Sequence, residues 1–236
     1  SFIDCVSEIK GGAIASTYGT LSVTSSLFKG NQAVNTSSWD STTPSGSAIV
    51  NMASDFNRIT TTLDSVLIVE NGNDQECRST VEVYGKATLN NVTIANNFDE
   101  CGLLSSQEGF VPSNLKLTNS IVWDNGAINV SANGTFEAYN TVVKGGSGVT
   151  SGEIWDSELD EAPYDVNYVP KSAWQTEVGR RVVDTGDNSF VTIYNDAAGE
   201  TRIVNGTVDL GALELQSSSN AVEDAFAELF IDGYFD

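Results

Sequence analysis

Five stretches of the chain superimpose on one eleven-residue frame without a gap: LSVTSSLFKGN at 21–31, TTLDSVLIVEN at 61–71, ATLNNVTIANN at 87–97, LKLTNSIVWDN at 115–125 and FEAYNTVVKGG at 136–146. The third position holds Val23, Leu63, Leu89, Leu117 and Ala138, and the eighth holds Phe28, Ile68, Ile94, Val122 and Val143. The fifth is small and polar: Ser25, Ser65, Asn91, Asn119 and Asn140. The frame closes on Asn31, Asn71, Asn97 and Asn125, with Gly146 in the last copy. Chance alternation does not hold three columns in register. One copy cannot bury its inward Val, Leu and Phe alone, whereas a neighbour stacked about 4.8 Å away covers them. The closing residues lie 40, 26, 28 and 21 residues apart. That irregularity predicts shared strands with turns of different length rather than identical units.

Composition agrees with many short strands. Ser, Thr, Asn and Gly abound, Pro is sparse at 4, and Val and Ile together outnumber Ala and Leu. The formal net charge of −21, from 11 basic and 32 acidic side chains, argues against nucleic acid and against an anionic membrane surface, both of which need a basic footprint. No apolar run approaches the roughly 18–20 residues of a membrane span. Histidine is absent, which removes Ser-His-Asp triads, Cys-His dyads, histidine bases and ordinary zinc sites together. Any catalysis would rest on carboxylates, Lys, Arg or Tyr.

The fifth column is expected to form a structural polar ladder, in which stacked Asn91, Asn119 and Asn140 amides bond to one another and Ser25 and Ser65 continue the row. Asn31 reads as the corner residue of a coil rather than as a catalytic group. Cys77 and Cys101 each sit in a polar turn beyond a repeated asparagine. Stacked turns would allow a disulfide between them, in keeping with an oxidising compartment, and a pair of free thiols is the alternative. The five N-x-S/T sequons, at Asn35, Asn91, Asn129, Asn133 and Asn205, match the chance frequency in so Ser/Thr-rich a chain.

GGAI at 11–14 followed by FKGN at 28–31 resembles the GGAI and FxxN repeats of polymorphic outer-membrane proteins and, more broadly, right-handed parallel β-helix surface proteins. GSAI at 46–49 is a degenerate copy of the first motif, and FIDC at 2–5 fits the second with cysteine last. The chain is therefore expected to begin inside a repeat. The stretch from Arg180 to Leu215 is similar to the closing segment of bacterial β-helix proteins of the choice-of-anchor type, with Asp184, Gly186, Asp187, Asp196, Gly199, Arg202, Asp209, Gly211, Ala212 and Glu214 at the matching places. It departs from that pattern at Arg180 and Arg181, where Ser-Pro is usual. Both resemblances imply an all-β fold, a right-handed parallel β-helix, on a secreted or cell-surface protein.

The expected organisation is β-helix rungs over 1–150, the C-terminal part of the coil with its closing segment over 151–216, and a linker with a short amphipathic helix over 217–236. The helix is read over about 221–231 from Val222, Phe226, Leu229 and Phe230, and would cap the coil's open end. The closing-segment cluster of Asp184, Asp187, Asp196, Arg202, Asp209 and Glu214 reads as structural, with bound calcium the next reading and catalysis the last. Trp39, Trp123, Trp155 and Trp174 could stack on sugars if they shared a face; Trp123, beside inward Val122, is expected to point outward. Function is read as a non-enzymatic structural or adhesive segment of a larger cell-surface or filament-forming protein. Its partners would be other copies, surface components or carbohydrate. The alternative is a calcium-dependent carbohydrate-binding or polysaccharide-cleaving β-helix.

Overall fold

The computed structural model describes residues 1–34, 44–52, 59–72, 79–98, 102–106, 113–125, 128–130, 133–144, 151–157, 161–175 and 179–216. The expected helix at 221–231, Trp39, Cys77 and Cys101 lie outside the described residues, as do the side chains of 151–157.

The chain is built on parallel β-sheets, as the alternating frame requires. An eight-stranded sheet contains β1 (Phe2–Ile3), β4 (Thr20–Lys29), β7 (Thr60–Val69), β9 (Lys86–Ala95), β11 (Asn114–Thr118), β12 (Ile121–Trp123), β14 (Thr135–Lys144) and β15 (Ser151–Ser157). A five-stranded sheet runs β3 (Ile14–Thr17), β6 (Ile49–Met52), β8 (Val81–Tyr84), β10 (Leu103–Ser106) and β13 (Ile128–Val130). A third pairs β2 (Val6–Glu8) with β5 (Gln32–Val34). From β3 to β14 the chain passes between the two larger sheets, adding a parallel layer at each return.

Register follows the sequence frame position by position. Val23 pairs with Leu63, Leu63 with Leu89, Leu89 with Leu117 and Leu117 with Ala138. Phe28, Ile68, Ile94, Val122 and Val143 align in the same way. These two columns face the five-stranded sheet and share one core with Ile49, Val81, Val83, Leu103 and Ile128. Phe2 stacks on Phe28 with ring centroids 4.7 Å apart, so FIDC extends the frame by one further layer.

The fifth column has a different role from the amide ladder expected of it. Ser25, Ser65, Asn91, Asn119 and Asn140 all have positive φ, between 42° and 54°. Ladder pairing skips from Thr24–Asp64 to Ser26–Val66 around them, so each strand bends there. Asparagine tolerates left-handed backbone better than other non-glycine residues, which accounts for its recurrence. Among the described residues, no bond joins two of these five side chains. A second left-handed column, Asp4, Gly30, Glu70, Asn96 and Asp124, stands just before the closing asparagines and turns the chain out of the sheet.

The amide ladder runs through those closing asparagines instead. Asn31 donates its backbone N–H (3.0 Å) and Nδ2 (2.8 Å) to Asn71 Oδ1. Asn71 does the same to Asn97 at 2.9 and 2.9 Å, and Asn97 to Asn125 at 3.2 and 2.7 Å. Each Nδ2 also donates to a strand-end carbonyl one layer back: Asn31 to Phe2, Asn71 to Phe28, Asn97 to Ile68 and Asn125 to Ile94. At the first layer Cys5 holds the asparagine's place; its backbone N–H donates to Asn31 Oδ1 at 3.1 Å and its Sγ to the Ile3 carbonyl at 3.6 Å. Asn31 and Asn71 are fully buried.

A single hydrogen bond contributes about 1 kcal/mol net, whereas leaving a buried donor unmet costs about 1–3 kcal/mol. Asn71→Ala orphans the Asn31 N–H and removes the donor to Phe28 and Val69, so a loss on the order of 2–4 kcal/mol is expected in urea unfolding. Asn140→Gly, at a half-exposed position with φ of 47°, should change stability by less than about 1 kcal/mol. Equal losses for the two variants would contradict this assignment.

Candidate functional site

Alternation sends positions seven and nine of the frame to the outer face of the large sheet, where polar residues would ordinarily meet water. Here that half of the face is apolar: Leu67, Val69, Ala95, Ile121, Trp123 and Val142. Residues 161–175 and 179–216 lie against it. Tyr164, Tyr168, Trp174, Val182, Leu210, Ala212 and Leu213 complete a second core with these side chains. Trp123 does leave the inner core, as expected, yet it is fully buried and meets Trp174 edge-to-face at 5.6 Å. The closing segment therefore covers the flank of the sheet.

The cover has little regular structure. Antiparallel bridges pair Tyr164 with Pro170, Gln175 with Arg181 and Asn195 with Thr201, and a short 3-10 turn spans Asn188–Phe190. Two of its hairpins use the same device. Asp165 Oδ1 accepts the N–H groups of Asn167 and Val169, and Asp196 Oδ1 accepts those of Ala198 and Glu200.

The bent fifth column anchors the cover to the sheet. Asn119 Oδ1 accepts the Asp187 N–H at 2.9 Å, and its Nδ2 donates to the Asp187 carbonyl at 3.0 Å. Asn91 Nδ2 donates to the Asp209 carbonyl at 3.2 Å, and Ser25 Oγ to that of Asn195 at 3.4 Å. Gly211 donates its N–H to the Asn119 carbonyl at 2.8 Å, and Ala212 to Thr93 Oγ1 at 2.8 Å. The fourth column adds a polar row, with Thr118 donating to Asn90, Asn90 to Asp64, and Thr192 of the cover to Asp64. At the far margin Tyr168 donates to Glu70 at 2.8 Å, and Tyr164 to Asn96 at 3.2 Å.

Four members of the predicted cluster meet under this cover. Asp196, Arg202, Asp209 and Glu214 are all buried. Asp209 accepts the N–H groups of Asp184 (2.7 Å) and Leu215 (2.8 Å). Glu214 accepts those of Val204 and Asp209 at 3.0 Å each, and Asp196 Oδ2 accepts that of Glu214 at 3.0 Å. Arg202 Nη2 donates to the carbonyls of Asp209 and Gly211, while Nε and Nη1 have no hydrogen-bond partner and are closed off from solvent. The carboxylates bind backbone N–H groups, and Arg202 offsets their charge without bonding to them. Asp187 stands apart, exposed, capping the 3-10 turn through Ser189 N–H at 2.8 Å; hydrogen bonding to the Ser189 side chain first, and to this N–H second, lowers its pKa.

Electrostatics here follow from burial. Burial lowers the Arg202 pKa, opposed by the charges of Glu214, Asp196, Asp209 and Asp64. It also pushes the Asp209 carboxyl up to about 6, against the two N–H bonds that favour its ionised form. Glu214 rises to about 8, through burial first and the Asp209 charge second. Beside the cluster, an open cleft of about 340 Å3 lies between Val191–Tyr194 and Thr201–Ile203. Its walls are mostly apolar, and the Tyr194 ring stands exposed at 92%. Among the described residues, no group of three or more His, Cys, Asp or Glu side chains is arranged to hold a metal ion. Comparison with family models, curated proteins and solved structures found no match to this chain.

Gly211 brings the backbone of the cover close against the sheet. Its φ is +92°, and a Cβ there would stand 2.5 Å from Thr93 Oγ1 and 3.0 Å from Ile121 Cδ1. Gly206 has nearly the same φ, +93°, with nothing within 4 Å of an added Cβ. Gly206→Ala thus reports backbone strain alone, about 1–3 kcal/mol. Gly211→Ala should cost more and shift tryptophan emission to the red as the cover lifts. Equal melting temperatures for the two variants would contradict the close packing.

Proposed function

We propose that this chain is a right-handed parallel β-helix serving as a non-enzymatic structural or adhesive segment of a larger secreted or cell-surface protein. The GGAI and FxxN repeats, whose likeness to polymorphic outer-membrane proteins motivates this reading, match the layered register of the two larger sheets. Stacked layers give a long, stiff body whose turns can vary without disturbing the core. The observation that carries the non-enzymatic half is the use made of the acidic cluster. The side chains best suited to acid–base chemistry, Asp196, Asp209 and Glu214, are buried and hold loop N–H groups. A glycosidase instead needs two carboxylates facing each other across an open sugar groove.

Partners on this reading are further copies of the chain or surface components, including carbohydrate. No helix among the described residues is long and apolar enough to cross a membrane. One assay set separates the two functional classes. The purified chain is incubated with neutral and acidic polysaccharides, with and without calcium, while new reducing ends and unsaturated products are followed. Sedimentation velocity is run in parallel across protein concentration. The expected result is no turnover, together with concentration-dependent association or retention on immobilised glycans. Turnover on any polysaccharide would overturn the reading in favour of a cleaving enzyme. Monomers at every concentration that ignore every glycan would remove the adhesive and assembly roles.

A further inference from the structure

The charge inventory under the cover is unbalanced. Asp196, Asp209 and Glu214 are buried around one guanidinium, Arg202. Asp184 adds its charge next to Asp209 from the preceding stretch, and buried Asp64 adds another from β7. Among the described residues, four buried carboxyl groups thus face one cation, with exposed Asp184 at their margin. The three innermost carboxyls are also the pins of the cover. They accept N–H groups from residues 184, 198, 200, 204, 209, 214 and 215, tying its successive stretches together. Ionising all of them places several like charges in a poorly solvated space with one counter-charge, which is costly.

We propose that residues 161–175 and 179–216 form a pH-released cover, held closed in mild acid and loosened as the medium turns alkaline, which exposes the apolar flank of the large sheet. The flank it would uncover includes Leu67, Val69, Ile121, Trp123 and Val142. This inference is independent of whether the chain is adhesive.

The direction follows from linkage. Asp209 and Glu214 are raised from ordinary values of 3.8 and 4.5 to about 6 and about 8. A carboxyl raised in the folded state contributes its stabilisation fully below the unfolded value. That contribution falls as pH climbs through the folded value. The window therefore opens near pH 4, and most of the loss is complete by about pH 8. Sheet and cover need not respond together, because the inner core and the asparagine ladder contain none of these carboxyls.

Hydrogen exchange on the whole chain between pH 5 and pH 9, corrected for intrinsic rates, tests the proposal. Protection across 181–215 is expected to fall at least tenfold, while β7 and β9 change less than twofold. Tryptophan emission should move to the red over the same range as Trp123 and Trp174 separate. Glu214→Gln should reduce the tenfold fall to threefold or less. Should that variant fail to fold, Asp209→Asn is expected to remove the part of the fall below about pH 6, and the wild-type profile stands as a test by itself. Constant protection from pH 5 to pH 9 would overturn the proposal. So would simultaneous loss in cover and sheet, or a folded Glu214→Gln variant that keeps the full response.

Discussion

Every turn out of the large sheet poses the same difficulty. A chain leaving a strand carries backbone groups that no neighbouring strand satisfies, and here those groups are buried. The closing asparagines resolve it with one repeated geometry. Each side chain accepts from the layer before and donates both to the next asparagine and to a strand-end carbonyl behind it. Burying a Leu, Ile or Phe is worth about 1.5–3 kcal/mol, so the inner columns dominate the gross stabilisation. The ladder sets register. A one-residue slip would break two bonds per layer and turn the inner columns outward.

The second dependence is between sheet and cover. The same strands that present Val, Leu and Ile inward also present an apolar half-face outward, beyond the bend at the fifth column. That half-face cannot remain in water without cost, and residues 161–175 and 179–216 supply its partner. Because the cover has few backbone ladders of its own, buried carboxylates take over the role of acceptor for its loops. The arrangement concentrates negative charge around Arg202, and this concentration makes the cover more sensitive to pH than the layers beneath it.

Much of the layered fold was legible because the frame is gapless. Side-chain period, inward columns and pairing register all follow from aligning five segments, and the structure pairs the same residues. The misplaced ladder has a physical explanation. Asparagine recurs at the fifth position for its tolerance of positive φ, and at the eleventh for its amide, and composition alone does not separate the two. The column before the closing asparagines, Asp4, Gly30, Glu70, Asn96 and Asp124, is the signal that would have marked the true corner. Similarly, the apolar seventh and ninth positions, Leu67, Ile121 and Val142 with Val69, Ala95 and Trp123, announce a covered flank. The cluster of Asp196, Arg202, Asp209 and Glu214 was found from its motifs. That its carboxylates bind loop N–H groups rather than Arg202 depends on backbone paths that no pattern of residue types specifies.

The layer register depends on the asparagine ladder, and side-chain amide exchange measures that ladder directly. With selectively labelled asparagine, the Nδ2 protons of Asn31, Asn71 and Asn97 should exchange as slowly as the strand amides of β7 and β9, while the side-chain amide of half-exposed Asn140 exchanges near the solvent rate. Rapid exchange at Asn71 and Asn97 in the folded protein would contradict the ladder and the layer register built upon it.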